Sequence, residues 1–199
     1  MLVLGAGGAA KAVCLKLAQA GAEVVVCNRT ADKAAALCAH EPARLRPAGF
    51  DPDTLRREAA ECGLLVNCTS LGMEGTERQF EEFSFLDALP AGAPVVDLIY
   101  APAETELLRR AREGGHQTAN GFGLLVNQAV LSLEHFTGTA IDAAEMKRRL
   151  AGGPLPEAKP AAGGGGGGRR RCCRKARPGD PVDRGRRGVV CCAAVKNAV

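Results

Sequence analysis

The sequence has few aromatic residues and no long apolar run. Aromatic side chains make up 4% of the 199 residues, and tryptophan is absent. The core must therefore be built from Ala, Val and Leu, which suits the tightly packed layers of an α/β protein. No stretch of about 18 apolar residues occurs, which argues against a transmembrane helix. The segment before Leu2–Leu4 lacks the basic residues of a secretory signal, so we expect a cytoplasmic protein, with a plastid origin left open.

Charge and cysteine are unevenly distributed along the chain. Residues 154–199 hold 11 of the 26 Lys and Arg residues and 3 of the 22 Asp and Glu residues, so this segment carries +8 and residues 1–153 carry −4. The segment has a glycine run at 163–168, two Cys-Cys pairs and no apolar period, which predicts a disordered tail. The five cysteines of residues 1–153 lie in apolar segments, and we interpret them as reduced thiols.

Three hypotheses address this basic tail. Its charge is compatible with binding to nucleic acid or to an anionic surface. A metal site is less well supported, because adjacent cysteines lack the usual spacing of metal ligands. The abrupt bias in composition favours a disordered extension, such as a segment translated from a wrong frame, so we do not expect nucleic acid as a partner.

Apolar strand-like segments alternate with segments of helical period in residues 1–153. The predicted strands are Leu2–Gly5, Glu23–Cys27, Arg44–Arg46, Leu64–Cys68, Pro94–Ile99 and Gln117–Asn120. The predicted helices are Ala9–Ala20, Ala31–Ala39, Asp53–Glu61, Glu104–Glu113, Leu124–Phe136 and Ala143–Leu150. Such alternation indicates right-handed βαβ units with helices on both faces of the sheet. We predict one doubly wound α/β domain over 1–153, with a six-stranded, mostly parallel sheet in the order 3-2-1-4-5-6, and then the tail at 154–199.

A glycine-rich motif joins the first strand to the first helix. The run Gly5-Ala6-Gly7-Gly8-Ala9-Ala10 fits the fingerprint of Rossmann-type dinucleotide-binding domains. Gly5 permits a tight turn, Gly7 lets the backbone approach a diphosphate, and Ala10 lets helix and strand pack closely. The fingerprint alone is weak evidence, but its position between a strand and a helix predicts a dinucleotide on the N–H groups of the helix N-terminus.

The end of the second strand indicates which dinucleotide binds. NAD enzymes place a carboxylate there to accept a hydrogen bond from the ribose 2′-hydroxyl, but this sequence has Asn28, Arg29 and Thr30. Arg29 can stack on adenine and pair with a 2′-phosphate, Thr30 can donate to that phosphate while capping the next helix, and Lys33 adds charge. Asp32 is expected to point to solvent. The pattern favours NADP(H), and the alternative is a solvated basic turn.

Five motifs in order carry a family resemblance. They are GAGGAAKA, CNRTADKA, LLVNCTSLGM, VVDLIYAPAETELL and NGFGLLVNQA. Over about residues 2–150 the chain resembles the NADP-binding domain of shikimate dehydrogenase. Glutamyl-tRNA reductase and methylene-tetrahydrofolate dehydrogenase share a similar glycine loop, but they are not expected to share the last two motifs.

The resemblance implies reversible hydride transfer between NADPH and 3-dehydroshikimate, which gives shikimate. It places the cofactor diphosphate at Gly5, Ala6, Gly7, Gly8 and Ala9. It places the adenosine phosphate at Asn28, Arg29, Thr30 and Lys33. Along the rest of the cofactor it places Thr69, Ser70, Leu98 and Gly121. Tyr100 and Gln128 would face the substrate, and a phenol and an amide suit a hydroxylated carboxylate ring.

The resemblance also implies a preceding substrate domain, which supplies the family's catalytic Lys and Asp. We therefore expect no catalytic residue in this chain and little turnover without that domain or a partner chain. The lysines that fail to match that role are Lys11, Lys16, Lys33 and Lys147. The histidines, whose spacing suits neither a metal site nor a triad, are His40, His116 and His135. A non-catalytic NADP-binding module and a preference for quinate stay open, and the last two helices are expected to expose apolar surface.

Overall fold

A computed structural model describes residues 1–151, and the predicted disordered tail lies outside these residues. The strands are β1 (Leu2–Leu4), β2 (Val24–Cys27), β3 (Leu45–Ala48), β4 (Leu65–Asn67), β5 (Val95–Asp97) and β6 (Thr118–Ala119). The helices are α1 (Gly8–Gln19), α2 (Ala31–Cys38), α3 (Pro52–Ala60), α4 (Ser84–Asp87), α5 (Glu106–Glu113), α6 (Phe122–Thr137) and α7 (Ala143–Leu150). The predicted alternation of strands and helices is confirmed.

The six strands form one sheet in the order β3-β2-β1-β4-β5-β6. Every pairing between neighbours is parallel, so the predicted strand order is confirmed and the sheet is more regular than "mostly parallel". Leu4 at the end of β1 pairs with Cys27 on one side and with Asn67 on the other. The carboxyl ends of β1, β2 and β4 therefore lie side by side at the point where the strand order reverses.

Side chains that alternate along the strands build a core on each face of the sheet. Leu2, Leu4 and Leu65 pack with residues of α3, α4 and α5 on one face. Val3 and Val26 pack with residues of α1 and α2 on the other. Because helices cover both faces of the sheet, the sequences of the strands are almost continuously apolar, as is usual for parallel strands.

The sequence prediction was wrong about the position of one strand and about the number of helices. Strand β3 spans Leu45–Ala48 instead of 44–46, and it contains Pro47, which pairs with Val26. The edge position of β3 allows this, because a proline without an N–H is tolerated where no further strand follows. Helix α4 was missed, because its four residues are too few to show a helical period.

The last two helices expose apolar side chains, as expected from the sequence. Residues with large exposed apolar side chains on α6 and α7 are Leu125, Leu133, Phe136 and Leu150.

No disulfide joins the five cysteines of residues 1–151, as predicted. Within the same residues no group of side chains is arranged to hold a metal ion. None of the helices in this part of the chain has the length and apolar character that a membrane crossing requires.

Candidate functional site

The turn after β1 packs directly against the end of β4. Gly5 has φ +101°, and its N–H donates a hydrogen bond to the carbonyl oxygen of Cys27 at 2.7 Å. A Cβ atom on Gly5 would lie 3.1 Å from Cγ2 of Thr69 and 3.2 Å from the carbonyl group of Cys68. Both the positive φ and the crowding require glycine here, and they bring the first loop into contact with the loop after β4.

The N-terminus of α1 opens onto free space. Gly7 is its N-cap, no side chain caps the helix, and its first turn contains no acidic residue. A Cβ atom on Gly7 or on Gly8 would meet no other atom within 4 Å. Ala10, one turn further, is fully buried against the sheet. The first N–H groups of the helix and its positive dipole end therefore face a space that suits an anionic group.

A cavity of about 370 Å³ lies beside this helix end. It brings together predicted site residues from the loops after β1, β2 and β4 and from the first turn of α2, namely Ala6, Gly7, Asn28, Arg29, Thr30, Lys33, Thr69 and Ser70. The other predicted residues do not line it. The cavity thus joins the glycine loop to the basic turn at the end of β2, which are distant in the sequence.

The side chain of Asn28 orders the basic turn. Nδ2 of Asn28 donates to the carbonyl oxygen of Thr30 at 2.9 Å. Thr30 is the N-cap residue of α2, but its hydroxyl makes no capping hydrogen bond, so the expected side-chain cap was wrong. Arg29 and Lys33 are exposed, as is Asp32, and neither cation forms an ion pair within residues 1–151.

A buried polar network lies behind Thr69. Oδ1 of Asn67 accepts hydrogen bonds from the N–H and the hydroxyl of Thr69, at 3.0 and 2.7 Å. Nδ2 of Asn67 donates to Oδ1 of Asp97 at 3.0 Å, and the hydroxyl of Thr105 donates to Oδ2 at 2.7 Å. The N–H of Ile99 also donates to Asp97 at 3.0 Å. One carboxylate therefore holds the loops after β4 and β5 in fixed positions.

The environment of Asp97 opposes its ionisation. Burial raises the pKa of Asp97, while hydrogen bonds from Thr105, Ile99 and Asn67 lower it in part. Sequence reasoning missed Asn67, Asp97 and Thr105. Asn67 and Asp97 could have been found from the sequence, because each is a polar residue at the end of an otherwise apolar strand. A buried polar group needs hydrogen-bond partners.

The predicted nicotinamide and substrate residues lie after β5, after β6 and on α6. The N–H of Gly121 donates to the carbonyl oxygen of Ile99 at 2.9 Å, and a Cβ atom on Gly121 would lie only 1.9 Å from the carbonyl oxygen of Leu98. Tyr100 is 52% exposed, and Gln128 is exposed on α6. Both side chains are therefore accessible from solvent, outside the cavity.

Other walls of the cavity come from segments that sequence reasoning did not assign to a site. An apolar part is formed by Phe50, Pro52, Leu55, Phe80 and Phe85, and a polar part by Arg78, Gln79, Glu81 and Glu82. The rings of Phe80 and Phe85 are 5.6 Å apart and those of Phe50 and Phe80 are 6.2 Å apart. These residues come from α3 and the loop before it, and from α4 and the loop that leads to it. Only the tertiary fold shows that these two segments meet.

Comparisons with known proteins identify relatives of this chain. Residues 1–71 match the family model described as shikimate / quinate 5-dehydrogenase. The shikimate dehydrogenase (NADP(+)) of Symbiobacterium thermophilum is 41% identical over 143 residues, which cover 69% of this chain and 48% of that protein. The chain thus spans about half the length of the relatives that it matches.

Solved structures agree with this match. Shikimate 5-dehydrogenase from Thermus thermophilus, in complex with NADP(H) and shikimate, aligns with a TM-score of 0.62 and 35% identity over 75% of this chain and 53% of that chain. Quinate dehydrogenase from Corynebacterium glutamicum, in complex with NAD, aligns with a TM-score of 0.64 and 29% identity over 76% and 54%. Over the length that they share, this chain is similar to shikimate and quinate dehydrogenases, and the resemblance predicted from its motifs is confirmed.

Proposed function

We propose that residues 1–153 form an NADP(H)-binding domain of an oxidoreductase that interconverts 3-dehydroshikimate and shikimate. The observation that carries this proposal is the cavity in which the open N-terminus of α1 meets Arg29 and Lys33. Two cations without ion pairs in residues 1–151, and no carboxylate at the end of β2, favour a 2′-phosphate over a free 2′-hydroxyl. NADP(H) supplies a hydride when it is bound.

Each predicted residue has a role in this proposal. The diphosphate binds to the loop Gly5–Ala9, where the uncapped N-terminus of α1 adjoins the open space at Gly7 and Gly8. Arg29 and Lys33 bind the 2′-phosphate together with Asn28 and Thr30, whose hydroxyl makes no capping bond. Thr69 and Ser70 lie along the cofactor, where Asn67 fixes Thr69 in place.

The residues after β5, after β6 and on α6 would orient the nicotinamide and the substrate. Leu98 and Gly121 lie at the nicotinamide end, where a glycine allows two backbone segments to touch. The exposed Tyr100 and Gln128 are free to hydrogen-bond a hydroxylated carboxylate substrate. The chain itself contributes no acid or base to the reaction, and a substrate domain, in the same protein or in a partner chain, supplies that group. The reaction takes place in the cytoplasm.

Titration of the 199-residue chain with NADPH and with NADH, followed by cofactor fluorescence, tests the cofactor. We expect NADPH to bind more tightly, and Arg29→Ala to weaken NADPH binding much more than NADH binding. Arg44→Ala is the matched control, because Arg44 is exposed and donates to the carbonyl oxygen of Gly21 outside the cavity. Tighter binding of NADH by the unsubstituted chain would contradict the proposal.

A turnover assay with NADP⁺ tests the assignment of the reaction. The chain alone should leave shikimate unoxidised while it binds the cofactor, because no acid or base is proposed within it. Quinate is the second substrate to test, since the matching family model covers both enzymes. Rapid oxidation of shikimate by this chain would contradict the proposed division of roles.

A further inference from the structure

The loop between Ser70 and Phe80 carries an arginine that lines the cofactor cavity. The carbonyl oxygen of Arg78 accepts a hydrogen bond from the N–H of Gly72 at 2.7 Å. The N–H of Glu74 donates to the carbonyl oxygen of Ala101 at 2.9 Å. Phe80, two residues after Arg78, is buried in the core. The backbone on both sides of Arg78 is therefore held in place. The side chain of Arg78 extends from this ordered backbone and lines the cavity.

Arg78 shares the cavity with the two cations of the basic turn. Arg29 reaches it from the turn between β2 and α2, Lys33 from the first turn of α2, and Arg78 from the loop after β4. None of the three forms an ion pair within residues 1–151, although Arg46 and Arg109 elsewhere in the fold both pair with carboxylates. Three like charges around one space repel one another unless an anion lies between them.

Two carboxylates line the same cavity without forming ion pairs with these cations. Glu82 accepts a hydrogen bond from the hydroxyl of Ser84 at 2.5 Å. Glu81 makes no ion pair within the described residues. Arg78 precedes the two glutamates in the chain. Between them lies Phe80, whose ring packs against the rings of Phe50 and Phe83. The three cations are therefore available to an anionic ligand that lies between them.

We propose that Arg78 is a specificity-determining residue that binds the 2′-phosphate of NADP(H) together with Arg29 and Lys33. A phosphate monoester carries a charge of about −1.5 to −2 at neutral pH, so it can satisfy more than one cation. The planar guanidinium can bond two phosphate oxygens at once. This inference rests on the proposed function, and it adds a second loop to the discrimination between NADP(H) and NAD(H).

The variant Arg78→Gln in the 199-residue chain tests this role, with Arg56→Gln as the matched control. Arg56 is exposed on α3, forms no ion pair within residues 1–151 and does not line the cavity. The ligands are NADPH, NADH, adenosine 2′,5′-bisphosphate and 5′-AMP, and the readout is the dissociation constant from calorimetry. The two adenosine ligands differ only in the 2′-phosphate.

Arg78→Gln should weaken NADPH and adenosine 2′,5′-bisphosphate about tenfold, since a charged hydrogen bond at an exposed site is worth on the order of 1.4 kcal/mol. Binding of NADH and 5′-AMP should stay within about twofold, and Arg78→Lys should recover part of the loss. Arg56→Gln should change none of the four constants. Unchanged thermal unfolding of Arg78→Gln would exclude a general loss of structure.

Two outcomes would overturn the inference and leave the proposed function standing. In the first, the chain prefers NADPH and Arg78→Gln keeps that preference. In the second, Arg78→Gln weakens all four ligands equally, which would place Arg78 at a group that they share. A chain that binds NADH more tightly than NADPH would instead refute the proposed function, and the role of Arg78 with it.

Discussion

The substitution Gly121→Ala gives a sharp test of how β5 and α6 meet. Its new Cβ atom would lie 1.9 Å from the carbonyl oxygen and 2.4 Å from the carbonyl carbon of Leu98. Both are backbone atoms, so no change of rotamer can relieve the clash, and α6 must move away from the sheet. Overpacking of this kind costs about 3 kcal/mol. For a chain of this size that loss lowers the unfolding midpoint by roughly 6–12 °C.

Gly123→Ala is the matched control, because Gly123 lies two residues further on, in the first turn of α6. The nearest atom to its new Cβ would be Nζ of Lys147, at 3.7 Å, which is the flexible end of a side chain. Because alanine is favoured over glycine in a helix by about 1 kcal/mol, this variant should be more stable than the unsubstituted chain. Thermal unfolding followed by circular dichroism measures both. If Gly121→Ala were as stable as Gly123→Ala, the close packing of Gly121 on Leu98 would be refuted.

Three further predictions concern buried groups. Thr105→Val removes the donor to Asp97 and should cost about 2 kcal/mol in urea unfolding; an unchanged midpoint would contradict this. Hydrogen bonds from Arg46 lower the pKa of Glu58 below its ordinary value of 4.5, so Glu58→Gln should cost about 1 kcal/mol at neutral pH. The difference in the free energy of unfolding between the two proteins should become smaller as the pH falls below 4.5, because protonation removes the charge of Glu58. A difference that does not depend on pH would refute this prediction. Burial raises the pKa of Cys14 to about 12, so its alkylation by iodoacetamide should require unfolding, as peptide mass spectrometry can measure.

The sequence predicted the parts of the fold whose signals are local. The apolar strands and the turn at Gly5 follow from residue types within a few positions of one another. The strand order followed from the rules of parallel connections. The bounds of elements shifted by one or two residues, because helix ends depend on caps, and Thr30 shows that a suitable residue at the N-cap need not use its side chain.

The parts of the site that were not predicted depend on tertiary contacts. Arg78 and Phe80 lie in a loop whose sequence has no period, and their relation to Arg29 arises only when the loop after β4 folds beside the end of β2. Asp97 and Asn67 were visible as polar residues in apolar segments, but their partnership requires that β4 and β5 pair in register. Local patterns do not contain that information.

The contact between Gly5 and the end of β4 has a consequence for the kinetics of folding. Leu4 pairs with Asn67 across two intervening βα units, and such non-local pairings form slowly because a long loop must close first. The glycine loop and the basic turn can be in place early, since β1 and β2 are close in the chain. The site cannot form until β1 and β4 have paired, so cofactor binding reports that these central strands are in place.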